Sequence, residues 1–389
     1  MSDPGLPAWA RDGAFPKKPE SFPFGTVDGK GEIEGFDTLE DLKSRLGSGK
    51  GRLAWVWVPG NDRLVAPEEV PGLLDVLKKR RLFFAKEDVE EAGKTAPFTG
   101  ALCLYALYAV LKGVNPLGFP APQFLAISGF AFLYFTARPW WEARKGRKEA
   151  DLLEEGNLED EVPEARFDLW MGSQKSMLTI GLVILVGLVG AVQLLTPGKG
   201  IAEAGLDKSA YALGETWRVF TAAFLHGNII HFLLNASALY YLARRVEILA
   251  RWPHLAATFL FSVMGAGWAT VAWLPKTSVG VSGVVCGLLG FLLVFETLHR
   301  PLVPRSARRR LLGILVSLIV IGFIGFQFVD NAAHFGGLVA GAVYAFVVFP
   351  RSSSPQRPVV LKRDIALGSI SLVLILVSAL GAVMVMTAR

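Results

Sequence analysis

Over most of this 389-residue chain the apolar residues gather into long runs, not into alternating faces. About nine stretches have the length and apolarity of membrane spans: residues 97–113, 120–137, 177–196, 227–243, 255–274, 281–298, 311–328, 332–349 and 365–387. The first two, separated by the breaker-rich NPLGFPAP, predict a membrane hairpin over 96–137. Residues 1–95 are polar and punctuated by Gly and Pro. There, a capping-box start at Asp37 to Glu40 and the alternating run RLAWVWVPG predict a small soluble α/β module. Residues 138–176 are charged, basic first and then acidic, with no sustained apolar face, and read as a solvated linker. Six spans over 177–349 follow as a core. Residues 350–389 form a basic segment and a last span.

Composition agrees with the pattern. The chain is 52% hydrophobic and 19% charged, with a mean hydropathy of +0.42, values expected of an all-α polytopic membrane protein. Its net charge of +6 comes from basic residues beside apolar runs, where they set orientation, and so does not point to nucleic acid. LARRVEILAR (242–251), HRPLVPRSARRR (299–310) and PRSSSPQRPVVLKRD (350–364) are expected on the cytoplasmic side, with the N-terminus. The connections between them then face outward, and Ser282 begins its span near the outer surface. The start MSDPGLPAWARDG has no basic region followed by a short apolar core, so no cleavable signal peptide is expected. Cys103 and Cys286 lie in apolar runs and frame no disulfide scaffold.

Polar residues inside spans are costly and mark function. His226, His231 and Asn235 occur in FLHGNIIHFLLNASALY at the outward start of one span, His231 and Asn235 one helical turn apart. His334, in DNAAHFGGLVAGAVYAF, lies at the outward start of another, and Ser282, in TSVGVSGVVCGLLGF, at a third. Gly283 with Gly287, and Gly337 with Gly341, are small-xxx-small pairs that let two helices approach closely. Packing those faces brings the Ser282 hydroxyl towards the His334 imidazole, the partnership a serine nucleophile needs within about 2.6–3.2 Å.

HGNIIHFLLN, GVSG and AHFGGLVAG, in that order on the second, fourth and sixth core spans, resemble the motifs HGxxxHxxxN, GxSG and AHxxGxxxG of the rhomboid intramembrane serine proteases. Trp217-Arg218 is similar to that family's WR pair. The resemblance covers about 177–349 and implies a six-helix core plus a seventh span; the N-terminal module and hairpin fall outside it.

The resemblance implies a Ser-His dyad, with Ser282 as nucleophile and His334 as base and later acid. His231 and Asn235 would complete an oxyanion hole with the Ser282 N–H, which is free at a helix N-terminus. His226 would tie the outer loop to the helix end, and Gly283, Gly337 and Gly341 would hold the site together. The family often carries an aromatic one turn below the serine, where this chain has Cys286. Asp330 reads as a solvated acid at a span end, and His254 and His299 as interfacial residues. The implied substrates are transmembrane segments of membrane proteins, cut near the outer face. The lipid bilayer is then the other partner, no cofactor or metal is needed, and a bacterial inner membrane is the expected location. Two readings stay open: a rhomboid-like pseudoprotease that binds membrane clients, and an intramembrane zinc hydrolase using His226, His231 and His334. The five-residue spacing of His226 and His231 suits helical metal ligands poorly.

Overall fold

The computed structural model describes the chain except for residues 1–4, 12–14, 16–17, 20, 29–30, 48–54, 117–119, 155–157, 197, 327–328 and 389. The start of the RLAWVWVPG run and the middle of the NPLGFPAP turn therefore lie outside the described residues. The chain divides into two compact units, residues 1–173 with 319–328, and residues 174–318 with 329–389.

In the first unit β1 (Phe24–Val27) pairs antiparallel with both β2 (Ile33–Phe36) and β3 (Trp55–Trp57). Helix α1 (Leu39–Gly47) covers the sheet, and Leu42, Leu46, Val56, Val65 and Leu73 form the core beneath it. Its cap is Thr38, not Asp37: Thr38 Oγ1 accepts from the Asp41 N–H at 3.2 Å, because the short hydroxyl reaches the third helical N–H.

Helix α2 (Leu74–Lys112) runs 39 residues with Pro97 inside it, so the chain does not break where module and hairpin are divided in the sequence. Composition changes from charged to apolar near Pro97, but helical hydrogen bonding continues on both sides. The charged stretch also differs from expectation. A π-helical turn at Leu133–Ala137 joins α3 (Ala121–Phe132) to α4 (Arg138–Leu152), and α5 (Val162–Ser173) follows, so most of the described linker is helical. Pro139 has no N–H to return to the Phe135 carbonyl. Thr95 Oγ1 donates to that oxygen at 2.6 Å instead.

The second unit holds α6 (Met177–Leu195), the short α7 (Lys199–Ala204), α8 (Lys208–Ala212) and α9 (Arg218–Thr221), then α10 (Ile229–Ala250), α11 (Trp252–Trp273), α12 (Ser282–Leu298), α13 (Arg305–Ile324) as far as residue 318, α14 (Asn331–Val348) and α15 (Lys362–Thr387). Among the described residues five helices are long and apolar enough to cross a membrane, or six if the pair Arg218–Phe224 and Ile229–Ala250, bent by 94°, is one span. Ser282–Leu298 is a shorter apolar helix. The chain is a multi-pass integral membrane protein of mostly helical fold.

Glycines decide the packing around α14. A Cβ at Gly337 would overlap the Gly283 carbonyl, and one at Gly341 the Gly287 carbonyl, so α12 and α14 touch backbone to backbone. Adjacent Gly336 faces the other way: a Cβ on its partner Gly265 in α11 would stand 2.7 Å from the Gly336 oxygen. Two consecutive glycines thus seat α14 against two helices at once. At the other end of these helices His254 and His299 are 2% and 4% exposed, which corrects their interfacial reading. His254 Nδ1 meets Tyr344 Oη at 3.0 Å, and the His299 ring stacks on Phe295 at 4.5 Å. Aromatic neighbours on α12 and α14 offer both imidazoles more burial than solvent does.

Candidate active site

Ser282 is the first residue of α12, so its backbone N–H has no intrahelical acceptor. The segment leading to it is held by the outer loop. Leu206 and Ser278 exchange two backbone hydrogen bonds of 3.0 and 3.1 Å, and the Gly280 N–H donates to the Ala222 carbonyl at 2.9 Å. Arg218, itself buried, anchors that loop: Nη1 donates to the carbonyls of Ala202 at 3.1 Å and Gly205 at 2.9 Å, and Nε bonds Glu215 at 2.6 Å. Trp217 lies against the same guanidinium, 5.0 Å from ring centroid to Cζ. The loop is therefore a set of short helices pinned to the core.

Gly280 has φ of +120°, and a Cβ there would stand 2.9 Å from His231 Cε1 and 3.7 Å from Asn235 Nδ2. Only a residue without a side chain can pass this close to both polar groups. This brings the His231 and Asn235 side chains to the backbone two residues before Ser282. Asn235 is buried, and its Nδ2 has no acceptor among the described residues, which leaves a donor available to an incoming oxygen. His231 is positioned from behind: its N–H is capped by Asn228 Oδ1 at 2.8 Å, and its ring meets His226 edge to face at 5.2 Å. The tie from His226 to the rest of the core runs through its backbone. Gln193 donates to its carbonyl at 2.6 Å and accepts from its N–H at 2.9 Å. Asn228 and Gln193 go unremarked in the sequence, and Gly280 is visible there only as the first glycine of GVSG.

On the other side of Ser282, a Cβ at Gly283 would be 3.4 Å from the Ala333 carbonyl, the residue before His334. Ser282 and His334 thus sit on adjoining first turns of α12 and α14. Their side chains are not hydrogen-bonded to each other, short of the contact the sequence reading expects. Cys286 is buried, 3% exposed.

Asp330 is no solvated acid. It caps α14, accepting from the Ala333 N–H at 2.8 Å, and takes hydroxyl hydrogen bonds from Thr270 at 2.5 Å and from Ser278. Lys208 Nζ, from the outer loop, donates to Ser278 Oγ at 2.5 Å. Burial pulls the Lys208 pKa down, against the attraction of Asp330 and Asp207. Partners 52 and 60 residues away in sequence explain why periodicity alone misses this cluster. Ser282, Ser278, Thr270 and Asp330 also line a cavity of about 40 Å³, more than the roughly 10–15 Å³ that one water requires.

Two outcomes follow from these contacts. Asp330→Ala removes a helix cap and the shared acceptor of two hydroxyls, and is expected to lower stability by about 1–3 kcal/mol in equilibrium unfolding. Gly280→Ala forces a methyl against the His231 ring at positive φ. Any hydrolytic turnover at this site should then fall about 100-fold in kcat with little change in KM, read by steady-state kinetics on the folded variant.

Residues 213–351 match the Rhomboid domain family model. Over 207 residues the chain is 28% identical to the rhomboid protease GlpG of Yersinia enterocolitica, covering 51% of this chain and 73% of that protein. It is 31% identical over 153 residues to the RHOMBOID-like protein 5 of Arabidopsis thaliana, covering 38% and 48%. It is also 30% identical over 145 residues to the rhomboid protease GluP of Bacillus subtilis, covering 36% and 28%. The chain thus spans less than half the length of the latter two relatives. Ser282, His334, His231 and Asn235 all fall within the matched residues.

Proposed function

Because residues 213–351 make this chain a member of the rhomboid family, we propose that it is an intramembrane serine endopeptidase that cuts transmembrane segments of other membrane proteins. The observation that carries this reading is the approach of His231 and Asn235 to Gly280, beside the free N–H of Ser282.

Ser282 Oγ attacks the scissile carbonyl while His334 takes its proton. The oxyanion that develops is met by the Ser282 N–H, the Asn235 amide and the His231 ring. His334 then gives the proton to the leaving amine, and water from the polar cavity behind Ser282 hydrolyses the acyl-enzyme, with His334 again as base. The outer-loop helices, fixed by Arg218, keep that water-filled mouth open at the edge of the lipid. Gly283, Gly337 and Gly341 hold the two dyad helices at one spacing, and Cys286 fills the turn below the serine. The basic segments 242–251, 299–310 and 350–364 orient the protein with its N-terminus in the cytoplasm and Ser282 near the outer face of a bacterial inner membrane. In this reading residues 1–95 are a cytoplasmic module, 96–137 a hairpin and 177–349 the catalytic core.

A zinc hydrolase would need three donors converging on one point, and among the described residues no group of three or more His, Cys, Asp or Glu side chains does so. A fluorophosphonate probe separates the enzyme classes. It is expected to label wild-type protein at Ser282 in the presence of chelator and to leave Ser282→Ala unlabelled. Chelator-sensitive cleavage surviving in Ser282→Ala would establish the metal reading instead.

A further inference from the structure

The C-terminal end of α12, a helix of 17 residues that starts at Ser282, opens into a second polar site. A cavity of about 480 Å³ lies between that end and the start of α13, lined by Arg300, Arg305, Arg308 and Arg309. The carboxylate in its lining, Glu296, is already engaged: Arg245 holds both its oxygens, at 2.6 and 2.9 Å. Glu296 also attracts Arg308 electrostatically, so the lining sets four guanidinium groups against one carboxylate that Arg245 already holds. Arg308 Nε is shielded from solvent and has no acceptor among the described residues, and a buried donor in that state is costly unless something supplies an oxygen. The first turn of the 20-residue α13 adds the positive end of the helix dipole.

The rest of the lining tells what kind of anion fits. Leu293, Leu311 and Leu312 border the same cavity, and Leu312 is 54% exposed, so an apolar surface runs from the arginines along α13. A helix of 17 residues is about 25 Å long, close to the roughly 30 Å hydrocarbon core, so with Ser282 near one face of a bilayer its far end comes to headgroup depth near the other. Guanidinium groups bind phosphate oxygens in pairs, and basic pockets between membrane helices hold anionic headgroups. We infer that the pocket of Arg300, Arg305, Arg308 and Arg309 is a binding site for a phosphate group, carried by an anionic phospholipid whose chains lie along Leu312 and Val316, both exposed on α13. The inference does not depend on the protease reading.

The test uses the full chain in nanodiscs of phosphatidylcholine with a minor fraction of phosphatidylglycerol, with retained lipid read by native mass spectrometry after extraction. Wild-type protein is expected to keep one phosphatidylglycerol per chain. Arg305→Gln/Arg308→Gln should hold it about thirty-fold more weakly, while the charge-matched Arg147→Gln/Lys148→Gln should hold it as wild type does. Arg308→Lys keeps the charge but lacks Nε, and its intermediate retention would mark a built site. A second arm adds orthophosphate in neutral detergent. A rise in unfolding temperature for wild type and not for the double variant, with no lipid retained, would assign the same site to a soluble phosphate. Equal retention by both double variants, with no effect of orthophosphate on wild type, would overturn the inference. Circular dichroism of the arginine variants in phosphatidylcholine alone guards against misfolding, and Arg308→Lys carries the test if the double variant fails to fold.

Discussion

Ser282→Ala and His334→Ala are each expected to lower kcat for cleavage of a membrane-embedded substrate by about 10⁴-fold or more, and the double variant by no more than either alone. The non-additivity is the informative part. A hydroxyl without its base and a base without its hydroxyl lose the same step, whereas two independent contributors would multiply. Both variants should unfold as wild type does, since Ser282 is the first residue of its helix and His334 lies in the first turn of another. His231→Ala and Asn235→Ala should cost less, about 10²–10³-fold each, because other oxyanion donors remain. Steady-state kinetics in detergent or liposomes measures all four.

Gly341→Val is expected to produce the largest loss of stability. Its side chain would enter the space held by the Gly287 carbonyl, and backbone, unlike a flexible side chain, has no alternative rotamer to adopt. Separating α12 from α14 removes the contact that sets Ser282 beside His334, so activity and stability should fall together, by about 3 kcal/mol in reversible unfolding. Gly181→Ala in α6 is the matched control. Nothing lies within 4 Å of a Cβ at Gly181, so it should be neutral or stabilise by up to about 1 kcal/mol. Similar losses in the two variants would mean that α12 and α14 are not in backbone contact.

The contrast between these glycines shows what the sequence made legible. Gly283, Gly287, Gly337 and Gly341 stand out because a small-xxx-small spacing repeats on two apolar spans, and the structure places those faces together. The spans themselves are visible because a bilayer demands long apolar runs. His231, Asn235, Ser282 and His334 are visible because polar groups are conspicuous within them. Gly336 with Ala340 and Gly265 with Ala269 have the same spacing with alanine as the second small residue; their role appears only when α11 is seen to pack on the opposite face of α14. Gly280 is read as motif and not as geometry, since its positive φ depends on a loop held by Ala222. The role of Asp330 is hidden for a related reason: its hydroxyl partners Thr270 and Ser278 lie on other segments. The helical character of 138–152 and 162–173 is hidden because a charged helix without an apolar stripe has the same pattern as a solvated linker.

One measurement addresses the central claim most directly. Purified wild-type protein is reconstituted in liposomes with a single-span substrate, and the products are identified by mass spectrometry beside Ser282→Ala. The expected result is two fragments from a single cut within the substrate's span near one membrane face, formed by wild type and absent with Ser282→Ala. An intact substrate with folded wild-type protein across several substrates and lipid compositions would contradict the protease assignment and favour a rhomboid-like protein that binds membrane clients without cutting them.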